Sequence, residues 1–152
     1  MAKRERRVLA VASGGGHWVQ LMRLRPVFED CEVHFVTVRA DYASQLDGEP
    51  LHVVPDSNLT SKLGLLRTAL GVAWVVLRVR PDVVLSTGAA PGWFALVFGK
   101  LLRARTVWID SIANAERLSK SGEKAGRFAD LWLTQWPELA REGGPEYAGS
   151  VL

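Results

Sequence analysis

Apolar residues in this chain come in short continuous runs, and the stretches between the runs carry apolar positions at helical spacing. Arg7–Ala12 (RVLAVA) is the first run; Ser13-Gly14-Gly15-Gly16 follows it, and Trp18–Phe28 then has helical periodicity. That order predicts strand, tight glycine turn, helix. Glu32–Val38, Leu51–Val54, Asp82–Leu85, Thr106–Ile109 and Leu131–Thr134 read as five further strands, rich in β-branched and aromatic residues. Ser61–Arg78 predicts a long helix, with Ser61 as its cap and Pro81 beyond its end, and Trp93–Leu102 predicts a second. Ser111–Gly126 is the most polar stretch and reads as a mobile loop after the fifth strand.

Strands that are apolar throughout and separated by helices belong to a parallel sheet covered on both faces. With right-handed crossovers, the predicted architecture is a Rossmann-like, doubly wound α/β fold. The 152 residues fit one domain, 1–152, with residues 1–6 as a basic flexible tail. In such sheets the ligand crevice lies beyond the carboxyl ends of the strands. Ser13–His17, Ser86–Gly92 and Asp110–Asn114 all follow strands directly, so they are expected to converge there.

Composition narrows the class. Apolar residues make up 48% of the chain, enough for a core. One cysteine, Cys31, allows no internal disulfide and fits a reducing cytoplasm. No cysteine–histidine cluster points to zinc, and no cofactor is expected. The net charge of +3 is mild, with cations at Lys3, Arg4, Arg6, Arg7, Arg67, Arg78 and Arg80. It suits anionic headgroups or phosphates. The best apolar segment, Thr68–Leu77 between Arg67 and Arg78, is too short to span a bilayer, so membrane contact is expected to be peripheral, through the Ser61–Arg80 helix and the basic amino-terminus. Nucleic-acid binding is not expected, since no recognition helix or aromatic–basic platform is apparent.

The glycine loops carry the candidate chemistry. In SGGGH, Ser13, Gly14, Gly15 and Gly16 let the backbone approach an anion, and the following helix adds free N–H groups. The dinucleotide fingerprint would need glycine at position 19, which is Val19, and no P-loop lysine is present. His17 is a candidate general base or phosphate donor. In STGAAPG, Ser86, Thr87, Gly88 and Gly92 are candidates for a second phosphate, and Pro91 suits the first turn of a helix. Asp110, Ser111 and Asn114 can bond sugar hydroxyls, or Asp110 can take a proton; capping the next turn is the plainer alternative. Gln135, Trp136 and Glu138 follow the sixth strand, where Trp136 either stacks on a sugar or anchors the core. His34 and His52 fall inside strands and read as structural.

These segments occur in the order SGGGH, STGAAPG, VWIDSIANAERLS and ADLWLTQWPEL. The set resembles the oligosaccharide-biosynthesis subunit family (Alg-fourteen-type, with bacterial PssD-type exopolysaccharide relatives) over nearly the whole chain. The resemblance implies the amino-terminal half of a GT-B glycosyltransferase. It also implies a separate donor-binding subunit that supplies the UDP-sugar, and a polyprenyl-diphosphate-linked acceptor. The glycine loops also look like those of the transferase that completes the lipid-linked peptidoglycan precursor, whose amino-terminal domain holds the acceptor diphosphate. Eukaryotic members carry an amino-terminal membrane anchor; here a basic Lys3–Arg7 tail stands in its place.

The expectation is therefore a non-autonomous, UDP-sugar-dependent transferase subunit, cytoplasmic and peripheral on the inner face of the cell membrane. His17 and Asp110 are its candidate catalytic groups. Two alternatives stay open: a nucleotide- or NADP-binding oxidoreductase domain, with Arg39 meeting a 2′-phosphate, and a scaffolding module for membrane recruitment. Glu142–Leu152 is expected to be dispensable to the core and to dock the partner.

Overall fold

A computed structural model of the chain describes residues 4–58 and 60–151. Lys3 of the basic tail and Leu152 of the apolar end lie outside the described residues. The seven strands are β1 (Arg6–Val11), β2 (Cys31–Thr37), β3 (Leu51–Val53), β4 (Val83–Ser86), β5 (Arg105–Ile109), β6 (Leu131–Thr134) and β7 (Glu146–Tyr147). All are parallel, in the order β3-β2-β1-β4-β5-β6-β7. The helices are α1 (Gly16–Arg23), α2 (Lys62–Val79), α3 (Ala89–Leu101) and α4 (Lys120–Ala125).

The predicted doubly wound fold is the one observed, and β1 shows why its strands lack alternation. Val8 and Ala10 enter one core, with Trp18 and Leu21 of α1. Leu9 and Val11 enter the other, with Val72, Val76 and Val79 of α2 and Leu96 of α3. A strand buried on both faces has no polar side to show.

Three expectations need correction. The first helix stops at Arg23, and Arg25–Phe28 continues as a 3₁₀ turn, because Pro26 has no N–H to extend an α-helical ladder. The sheet has seven strands, not six. Glu142–Leu152 was expected to lie outside the core, yet Glu146 and Tyr147 pair with Leu133 and Thr134. The polar Ser111–Gly126 stretch is tied down rather than mobile: it contains α4 and the buried Leu118 and Ala125. Where Ser61 was predicted to cap the long helix it does so, its Oγ accepting from Gly64 N at 3.1 Å.

Candidate functional site

The strand order reverses between β1 and β4, which pair directly. The turns beyond their carboxyl ends flank the crevice expected of such a switch point. Here the two glycine loops meet. Thr87 Oγ1 donates to the His17 carbonyl at 2.7 Å, and His17 Nδ1 bonds the Thr87 carbonyl at 3.0 Å. A carbonyl only accepts, so Nδ1 carries the proton in this contact. The neutral ring then keeps its lone pair on Nε2, which has no partner among the described residues.

The loop glycines differ in what they do. Gly15, at φ 66°, is the cap residue of α1 and offers no side chain to the helix's first N–H groups, while its own N–H donates to Tyr42 OH at 2.9 Å. Gly88 has φ 140°, and a Cβ there would stand 2.4 Å from His17 Nδ1. Left-handed backbone and the imidazole ring both demand glycine at position 88. Ala89 follows at φ 68°, a strained value for alanine, at the start of α3. Neither α1 nor α3 has a side-chain cap, so two positive helix ends face the crevice. Gly14 lies against Arg39, and Gly16 is open.

Ser86 and Gly92 were expected to contact an anion, and the structure corrects both. Ser86 is fully buried, and its Oγ accepts from Gly88 N at 3.1 Å. Gly92 is buried where α3 crosses β4; a Cβ there would fall on Ser86 Oγ. They hold the loop's shape from beneath. Thr87 is likewise buried and spends its hydroxyl on His17. Ser13 is half-buried, its carbonyl 3.5 Å from Thr37 Oγ1.

The loop after β5 is built differently. Asp110 is 1% exposed. Its Oδ1 accepts from Trp108 Nε1 at 3.1 Å and Ser119 Oγ at 2.6 Å. Its Oδ2 accepts from Asn114 Nδ2 at 3.1 Å and Ser119 N at 3.0 Å. Four donors leave it little capacity for a substrate proton. Gly122 clears room for it, since a Cβ there would lie 2.3 Å from Oδ1. Ser111 Oγ accepts from Gln20 Nε2 and from Ala113 N, each at 3.2 Å. Asp110 and His17 share no hydrogen bond.

The family described as oligosaccharide biosynthesis protein Alg14 like matches residues 51–151. The chain belongs to that family. The UDP-N-acetylglucosamine transferase subunit ALG14 of Mus musculus is 30% identical over 183 residues, covering 96% of this chain and 83% of the mouse protein. Its counterpart from Eremothecium gossypii is 27% identical over 168 residues, covering 90% of this chain and 75% of the relative. Among solved structures, Acinetobacter baumannii MurG superposes with TM-score 0.78 at 12% identity, over 95% of this chain and 45% of MurG. A putative UDP-N-acetylglucosamine 2-epimerase from Listeria monocytogenes gives 0.66 at 12%, over 88% of this chain and 40% of the epimerase. At such identity the likeness shows the fold, that of the amino-terminal half of a GT-B enzyme. The chain spans less than half of either structure.

Gln20 was not among the candidates read from the sequence, and it pairs with Gln135, which was. Gln20 and Gln135 are 5% and 2% exposed. Gln135 Nε2 donates to Gln20 Oε1 at 2.6 Å and to the Asp110 carbonyl at 2.9 Å. Gln135 Oε1 in turn accepts from Val151 N at 2.7 Å, and its carbonyl from Ser150 Oγ at 3.0 Å. One buried amide thus joins α1, the β5 loop and the chain's end. Trp136 is an anchor, its Nε1 donating to the Ile112 carbonyl at 2.7 Å. Tyr42 stacks on Trp18 with ring centres 4.7 Å apart, and the Arg39 guanidinium lies over the Tyr42 ring, 5.3 Å from its centre. Arg39 itself is bidentate to Asp41. Besides Gln135 itself, the available signal for this network was a glutamine three residues past His17, on a helix face otherwise facing the core.

His34 and His52 stack across β2 and β3, with Nδ1 to Nε2 at 3.1 Å, and Glu32 accepts from His34 Nε2 at 3.1 Å. Burial, with His34 and Arg78 nearby, holds His52 below the usual histidine range. This pair lies on side strands rather than on the glycine loops. No group of three or more His, Cys, Asp or Glu suited to a metal occurs among the described residues.

Proposed function

We propose that the chain is the acceptor-binding subunit of a two-component glycosyltransferase acting on a polyprenyl-diphosphate-linked sugar. The observation carrying this reading is the His17–Thr87 lock, which sets two uncapped helix ends side by side at the switch point. Helix amino-termini favour phosphate oxygens, and two adjacent ends suit a diphosphate. His17 Nε2 takes the proton of the acceptor hydroxyl. The freed oxygen forms the new bond to the anomeric carbon of a UDP-sugar held by the partner. The bond from that carbon to UDP breaks, and UDP leaves with its electron pair. Asp110, Ser111 and Asn114 position the β5 loop instead of reacting. The names of the ALG14 relatives as transferase subunits support the division of labour.

Attachment to the membrane is peripheral, through α2. Leu63, Leu66, Leu70, Trp74 and Leu77 are each between 54% and 62% exposed, at spacings that form one stripe. Lys62, Arg67 and Arg78 flank it and α2 contains no acid. Among the described residues no helix is long and apolar enough to cross a membrane.

The chain alone should turn over no UDP-sugar with a lipid-diphosphate acceptor, while the complex co-purified from its host should. Robust turnover by the highly purified chain overturns the two-component reading. Tight NADPH binding by calorimetry would instead favour an oxidoreductase. Flotation with anionic vesicles should weaken sharply as salt rises, each cation near the surface contributing about 1 kcal/mol; absence of flotation at low salt removes the membrane assignment.

A further inference from the structure

A groove of about 340 Å³ runs between α2, α3 and α4. Leu65, Trp93 and Phe94 form its apolar wall; Lys120, Ser121 and Lys124 form its other rim. Its size falls in the range of small-molecule sites, roughly 300–1,000 Å³. Ala90, the second residue of α3, also lines it. The groove therefore continues from the helix end assigned above to the diphosphate.

Charge and polarity select the occupant. Lys120 and Lys124 are exposed and enter no ion pair among the described residues, so the rim favours an anion. Glu123, between them in sequence, does not line this groove; it lines an adjoining hollow that shares Trp93 and Lys124 and adds Arg127 and Phe128, where two cations outnumber the one carboxylate. The wall offers a sugar almost nothing to bond, since Ser121 is the one neutral hydroxyl. An apolar chain joined to a phosphate satisfies both sides. The buried Asp110 sets this up: it holds Ser119, the cap of α4, through Oγ and N, and so fixes the helix that carries both lysines.

Resting on the acceptor reading above, we infer that this groove takes the first isoprenoid units of the acceptor lipid. Lys120 and Lys124 meet its lipid-side phosphate. The lysine stems pack along the chain while the ammonium groups reach the phosphate oxygens.

The test is calorimetry on the full chain with farnesyl diphosphate and inorganic diphosphate as probes, without vesicles. Farnesyl diphosphate should bind at least about tenfold tighter than inorganic diphosphate, a difference near 1.4 kcal/mol. The double variant Lys120→Ala/Lys124→Ala should lose about tenfold for farnesyl diphosphate, and Leu65→Ser should shrink the advantage of the farnesyl chain. Both are surface or half-buried changes, and a thermal melt checks that each folds. If Gly15→Val abolishes farnesyl diphosphate binding while the lysine variant leaves it unchanged, the groove is overturned and the acceptor reading stands. If Leu65→Ser leaves the farnesyl advantage over inorganic diphosphate unchanged, or the lysine variant weakens only vesicle flotation, the groove holds no lipid chain. If the wild-type chain binds neither probe, the acceptor reading falls and this inference with it.

Discussion

The glycine loops and the Asp110 loop leave the same end of one sheet, yet they use polar groups in opposite ways. Around Gly15 and Gly88 the helix ends carry no side-chain caps, and His17 keeps Nε2 unpartnered. Around Asp110 every strong acceptor is matched, with four donors on one carboxylate. A ligand needs unspent bonding capacity, whereas a rigid frame needs that capacity spent. The first region is therefore read as the place where substrate binds, and the second as the frame that holds α4 and the crevice wall.

The strongest test of that contrast is His17→Ala in the reconstituted complex. Loss of a general base costs about 10²–10⁴-fold in kcat, and the thermal melt should hardly move. An unchanged kcat would make the chain a scaffold and leave the glycine loops without a chemical role.

Asp110→Asn should do the reverse. The amide turns one acceptor into a donor against groups that already donate, at a cost of about 2–3 kcal/mol in denaturant unfolding. Ser119→Ala should destabilise in the same direction. If Asp110→Asn leaves the unfolding midpoint in place but removes turnover, Asp110 is a reacting group and the contrast collapses.

Truncation after Arg141 probes how far the frame extends. It removes β7 and the bonds from Ser150 and Val151 to Gln135. Stability should fall by about 1–2 kcal/mol, as expected for two or so net hydrogen bonds. A melt that does not change would show that the end of the chain merely rests on the frame.

The smallest effect is expected at the His34–His52 pair, remote from both loops in the sheet. Its folded-state pKa is depressed for His52, chiefly by burial. The unfolded chain then binds the proton more readily, so stability is full above the ordinary value of about 6.5 and declines as pH falls below it. His52→Gln should flatten that decline in pH-dependent unfolding curves while leaving kcat unaltered. A steeper decline would place the burden on another group.

The fold was legible because it is written in local pattern. Short strands apolar on both faces, alternating with helices, admit few packings, and chirality selects among them. The short strand Glu146–Tyr147 escaped notice because two residues carry no period; only its neighbour β6 makes it a strand. Within the site, the glycines and His17 were visible as unusual residue types after a strand. What the sequence could not say is whether a polar side chain faces a ligand or another side chain. Ser86, Thr87, Gly92 and Asp110 were indistinguishable from His17 by residue type and position, and Gln20 and Gln135 lie 115 residues apart. Periodicity determined the doubly wound sheet up to its sixth strand and the place of its crevice, and the motifs carried the family resemblance. The tertiary structure alone decided which hydrogen-bonding groups were already spent, because that depends on partners brought together only by folding.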